Sequence, residues 1–270
     1  MNRFIRTGRV FYGVCMAAIG FQQFFYSEFR PVIMPPWPSG IPGLVIWVWL
    51  AGLALVGAGL AIIFEYRARK ISLVMGAILL LLFLSCQVPY ETFIDPIGNH
   101  LALWTNAFKL LALSGGAFVV AGSFPYEISG SQERCSWLRF LEKAIPMGSI
   151  FFSIMLIIFG IDHLLYTKYV APLVPDGIAN KIFWTNFAGV ALTGSGLAII
   201  LDIRRKQIAI LLGIMLFLWV LVLHIPRAIA DPYVDKGNEV TSIFEALGFS
   251  GIAFMIAFGQ PQKWNKPFEI

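Results

Sequence analysis

Charge is scarce in this chain. Asp, Glu, Lys and Arg supply only 13% of its 270 residues, while 58% are hydrophobic. A soluble globule of this length cannot hide so much apolar side chain, so the bilayer is the solvent that the composition demands. Cysteine is scarcer still: Cys15, Cys86 and Cys135 stand far apart with no CxxC pair, which argues against a dithiol redox centre or a thiolate metal site. His163 and His224, with scattered carboxylates, show no ligand spacing, so no metal site is expected. No haem, iron–sulfur or nucleotide motif occurs either, so any redox chemistry needs a partner or a diffusible carrier. Residues 1–20 have the basic start and apolar run of a signal peptide but no clean small-residue cleavage box, and they are read as a retained first span. The net charge of +5 is spread over short basic clusters between apolar runs, which report topology and not nucleic-acid binding.

Long apolar stretches take the place of charge. Windows of about 20 residues predict eight spans, at 9–26, 43–64, 71–88, 101–122, 145–166, 182–201, 207–224 and 239–259. Alternate connections differ in basic content. Arg3, Arg6 and Arg9, then Arg67, Arg69 and Lys70, then Arg134, Arg139 and Lys143, then Arg204, Arg205 and Lys206, and finally Lys263 and Lys266 would share one side. Arg30, Lys168, Lys181, Arg227 and Lys236 fall on the other, and Lys109 lies inside a span. The basic side is predicted to be cytoplasmic, with both termini on it. Trp37, Trp47, Trp49, Trp184 and Trp264 read as interfacial anchors.

The chain also repeats itself. FGIDHLLYTKYVAPLVP from Phe159 has a weaker copy in IGFQQFFYSEFRPVIMP from Ile19, in which Gly20 answers Gly160, Gln22 answers Asp162 and Gln23 answers His163. GLALVGAGLAIIFEYRARK from Gly52 matches GVALTGSGLAIILDIRRK from Gly189, and FKLLALSGGAF from Phe108 matches FEALGFSGIAF from Phe244. Gly76 answers Gly213, Pro89 answers Pro226, and Asp95-Pro96 answers Asp231-Pro232. The predicted fold is therefore an all-α integral membrane protein whose eight helices form two tandem four-helix bundles. An even helix count gives the units the same orientation, about a pseudo-two-fold axis along the membrane normal. The first unit covers 1–122, a cytoplasmic linker 123–143, the second unit 144–260 and a cytoplasmic tail 261–270. Gly52, Gly57, Gly59, Gly189, Gly194 and Gly196 are expected to let helix backbones approach closely.

These features resemble the DoxX family of small four-helix membrane proteins. The resemblance rests on Gly160 to His163 ending a first helix, a loop running to Pro175, a Gly-rich second helix closed by a basic cluster, and a Lys or Glu ahead of Ser-Gly in the last. It implies a bacterial cytoplasmic membrane and a subunit of a quinone-linked redox assembly, such as thiosulfate:quinone oxidoreductase. Quinone would be the cofactor, none would be bound covalently, and a membrane or periplasmic protein would be the partner besides lipid. Related four-helix proteins serve as scaffolds or assembly chaperones, which is the alternative. Parallel repeats around a polar centre also suit a small-solute carrier.

The residues that could carry chemistry gather in the second half. Asp162, His163, His224, Arg227, Asp231 and Glu245 are the ligand-binding or proton-relay candidates, in a polar pocket expected to open on the outer face. Ionised groups at membrane depth cost about 2.5–3.5 kcal/mol each, so they should face a cavity or one another. Histidines exchange protons near neutral pH, Arg227 suits an anionic or carbonyl group, and Glu245 suits an inward relay. The structural alternative makes Asp162 and His163 a solvated helix end, His224 a helix cap and Arg227 a partner of Asp231. His100, alone at a helix start, reads as structural. Lys109 and Glu245 occupy equivalent depths on equivalent helices and are expected to form an intramembrane ion pair, with a proton relay as the rival role.

Overall fold

The computed structural model describes residues 3–38, 40–94, 100–125 and 136–259. Asp95, Pro96, Gly130, Arg134, Cys135, Lys263, Trp264 and Lys266, together with the tail 261–270, lie outside the described residues. The described chain forms α1 (Arg3–Tyr26), α2 (Leu44–Ile63), α3 (Ala68–Leu82), α4 (Thr105–Gly122), α5 (Ser136–Glu142) and α6 (Met147–Leu165). It continues through α7 (Thr167–Val170), α8 (Lys181–Ile200), α9 (Arg205–Trp219), α10 (Ile225–Ala230) and α11 (Asn238–Phe258). Eight helical stretches are long and apolar enough to cross a membrane, and the protein is an all-helical integral membrane protein in contact with lipid.

Two spans end later than the sequence predicts. The third continues to Ile94 and the seventh to Ala230, past Pro89 and Pro226. A proline lacks the N–H that bonds four residues back and crowds that carbonyl. Here wide π turns, Phe83–Gln87 and Val220–His224, sit just before each proline. The Val88 N–H reaches back to Phe83 and the Ile225 N–H to Val220, and the helix continues past the ring. The same turns fix the directions of Gln87 and His224.

Helix neighbours run in the order α2, α1, α11, α9, α8, α6, α4, α3 and back to α2, with α4 and α11 also touching across the middle. The core is therefore shared between the two sequence halves: α1 lies along α11, and α6 lies along α4. Lipid offers little hydrophobic drive for association, so these seams depend on close backbone packing. A Cβ at Gly8 would sit 2.6 Å from the Gly251 carbonyl oxygen, and one at Gly148 would sit 2.6 Å from that of Gly115. Gly20 opposes Gly52 in the same manner, and Gly160 opposes Gly189. Gly57 and Gly194 depart from the expectation, since a side chain at either would meet nothing within 4 Å. Position 57 lies five residues after Gly52, off the face that Gly52 and Gly59 share two turns apart. Ser114 Oγ donates to the Gly76 carbonyl and Ser250 Oγ to that of Gly213, both at 2.8 Å, tying α4 to α3 and α11 to α9.

Candidate functional site

The basic clusters gather at one end of the bundle, where Arg9 meets Glu65 and Arg69 meets Glu142. The candidate site lies at the opposite end. Its centre is Lys109 on α4, whose Nζ is 2.7 Å from Glu245 Oε2 on α11. Their side chains are 13% and 4% exposed, so each charge depends on the other for the solvation it has lost. The pair sits where α4 and α11 cross, and it joins the two sequence halves.

His224 occupies the last position of the π turn after α9, within electrostatic reach of both Lys109 and Arg227. Its Nδ1 is buried and makes no hydrogen bond. It does not cap its helix through that nitrogen. Arg227 also differs from the structural alternative: it pairs with Glu239 in the first turn of α11, and Asp231 stands exposed. The reason is local geometry, since α10 ends at Ala230 and Asp231 follows in solvent, while α11 packs against α10. Glu239 Oε2 remains buried without a partner.

Asp162 and His163 stay apart from this group. His163 Nδ1 is 2.7 Å from the Phe159 carbonyl of its own helix, and Asp162 Oδ1 is buried without a hydrogen bond. Among the described residues no hydrogen bond or ion pair links either to His224, Arg227 or Glu245. The six candidates therefore divide into a group of buried Glu245 with half-buried His224 and Arg227, a separate Asp162 and His163 pair, and an exposed Asp231. His100 precedes the short turn Leu101–Trp104 and caps nothing with its side chain.

The structure adds residues that sequence reasoning passed over. Arg30, in the loop after α1, is only 2% exposed. It donates from Nη1 to the Lys236 carbonyl at 2.7 Å and from Nη2 to Thr241 Oγ1 at 2.9 Å, and its Nε is buried and unbonded. Burial pulls its pKa below the ordinary guanidinium value, against the opposing pull of Tyr26, Glu245 and Glu28. Thr241 Oγ1 in turn bonds Gln22 Oε1 at 2.8 Å. Gln23 is fully buried with both amide atoms unbonded, and Glu91 is 6% exposed. Gln22 and Thr241 were findable, because Gln22 continues the buried stripe of Tyr12, Cys15 and Ile19 on α1, and Thr241 lies one turn before Glu245. Arg30 has no periodic signal, since a loop has none.

Three metal-ligating side chains converge nowhere among the described residues. Chemically, this end of the bundle offers a buried ion pair, a second ion pair beside it, and buried hydrogen-bonding atoms on His224, Glu239, Gln23 and Arg30 that remain free. Compared with profiles of known families, with curated proteins and with solved structures, the chain matches none.

Proposed function

We propose that the protein is a membrane subunit of a quinone-linked redox assembly, with His224 and Arg227 meeting a headgroup at the outer end. The observation that carries this reading is His224: a half-buried imidazole at the end of a π turn, within electrostatic reach of Lys109 and Arg227, with its Nδ1 buried and free. Such turns occur often at functional sites, and a free buried polar atom is costly unless something bonds it. A quinone supplies two carbonyl oxygens and accepts electrons and protons. His224 can donate to a carbonyl oxygen, Arg227 can hold a second polar group, and the Lys109–Glu245 pair can exchange a proton along the centre of the bundle.

The reading includes a tandem duplication of a DoxX-like four-helix unit, with the basic end cytoplasmic by the distribution of Lys and Arg. Matched contacts support the duplication: Gly8 on Gly251 and Gly148 on Gly115, Ser114 on Gly76 and Ser250 on Gly213, and π turns ending at Gln87 and His224. A bacterial cytoplasmic membrane is part of the same proposal.

A non-catalytic scaffold for another membrane protein is the second reading. It is favoured by the closure of Lys109 on Glu245 and of Arg227 on Glu239, which gives each cation a carboxylate partner within the chain. Titration of the purified protein with a short-chain quinone, followed by tryptophan fluorescence, separates the two. Saturable binding weakened at least tenfold in His224→Leu supports the redox reading. No saturable binding by the wild type leaves the scaffold.

A further inference from the structure

At the basic end, two corners of the bundle share a plan and are filled differently. In the first, Arg9 on α1 reaches the end of α4. Its Nε donates to Ser123 Oγ at 2.8 Å, Nη2 to the Ser123 carbonyl and Nη1 to Glu65 at 3.2 Å, and its Cζ lies 3.6 Å from the Phe124 ring centroid. The second corner lies between the ends of α4 and α11 and the starts of α6 and α9, and its arginine, Arg205, comes from α9. Ser149 follows Gly148 on α6 as Arg9 follows Gly8 on α1, and Gly259 follows α11 as Ser123 follows α4. The hydroxyl that receives Arg9 thus has no counterpart for Arg205.

The consequence is an arginine beside empty space. Arg205 Nε is buried with no hydrogen-bond partner, and among the described residues no ion pair includes Arg205. Asp202 acts on it electrostatically but is exposed in the preceding turn. Next to it lies a cavity of about 30 Å³ lined by Ser123, Pro146, Ser149, Arg205, Met255 and Gly259, among others. A water needs roughly 10–15 Å³ of such space, so the volume suits about two oxygen-sized atoms. Ser123 already bonds Arg9 and Val120. That leaves the Ser149 hydroxyl and Arg205 as the donors, with no carboxylate in the lining and with Arg204 and Lys206 exposed alongside.

We propose that this corner binds a phosphate oxyanion, two of whose oxygens accept hydrogen bonds from Arg205 and Ser149. The phosphate belongs to a phospholipid headgroup of the adjacent leaflet or is free in solution. Guanidinium and hydroxyl donors match phosphate oxygens, and basic pockets between spanning helices at the membrane surface hold lipid headgroups. The test is the thermal midpoint of the full chain in detergent, with added phosphatidylglycerol or with inorganic phosphate at matched ionic strength. The wild type and Arg204→Gln should rise by several degrees, while Arg205→Gln and Ser149→Leu should not. A rise with phosphatidylglycerol alone identifies the lipid; an equal rise with inorganic phosphate identifies the free ion. No rise with either probe overturns the proposal. So does an equal rise in both cavity variants, or the loss of the rise in Arg204→Gln. Should Arg205→Gln fail to fold, Ser149→Leu alone decides.

Discussion

Where α1 meets α11, polar groups reach across the seam; where α6 meets α4, Asp162 and His163 do not. Gln22, Thr241 and Arg30 form a continuous hydrogen-bonded chain at the first place, extended by Glu28 on Lys236. At the second, His163 turns back to its own helix and Asp162 Oδ1 is left unbonded. The glycine seams beneath are alike, Gly8 on Gly251 and Gly148 on Gly115. One backbone plan thus carries two polar fillings, and only one of them acts as a lock.

Breaking what the two places share should cost most. Leu at Gly8 or at Gly148 drives a side chain into a facing carbonyl, and each should lose more than about 4 kcal/mol or fail to fold, the range for severe overpacking and backbone displacement. Detergent size exclusion and thermal midpoints measure this, and a fold that tolerates one variant but not the other would separate the seams. Next comes the pair that joins them. Lys109→Met alone should cost about 3–5 kcal/mol by leaving Glu245 buried and unpaired, and Lys109→Met with Glu245→Met should recover much of that loss. Simple additivity in the unfolding midpoints would contradict the pairing.

Smaller effects sharpen the contrast. Thr241→Val removes the centre of the bonded chain and should cost about 1–3 kcal/mol. Asp162→Asn alters a side chain that makes no hydrogen bond across the seam and should change stability by less than about 0.5 kcal/mol or raise it. Equal losses in chemical unfolding would erase the distinction between lock and unbonded end. Smallest of all, Gly57→Ala and Gly194→Ala face open lipid and should leave the midpoint within error, in contrast to Gly52→Ala and Gly189→Ala.

The spans were legible because lipid imposes a simple rule, and stretches of about 20 apolar residues announce themselves. The depth of Lys109 and Glu245 was legible as well, because FKLLALSGG and FEALGFSGI place them at one register. The helix order was not. Nothing in a repeat says whether the last helix of a half returns to its own first helix or to the other half's, and here α1 chooses α11. That choice brings Arg30 to Thr241 and makes the loop after α1 part of the site. The structural alternative set Arg227 against Asp231, four residues away, while its partner Glu239 comes from the next span. Local spacing finds neighbours along a helix; it does not find them across a loop. The far ends of the third and seventh spans were missed for a related reason, because a π turn absorbs a proline's missing donor without leaving a mark in hydropathy.

The central claim is that the outer end holds a headgroup against His224 and Arg227. Its most direct test is native mass spectrometry of the protein gently extracted from its own membrane, with quinone quantified in parallel from wild type and from His224→Leu. The account predicts near-stoichiometric quinone in the wild type and its loss in the variant at an unchanged thermal midpoint. A wild type free of quinone and bound to another membrane protein would contradict it, and would make the charged pairs a means of holding shape.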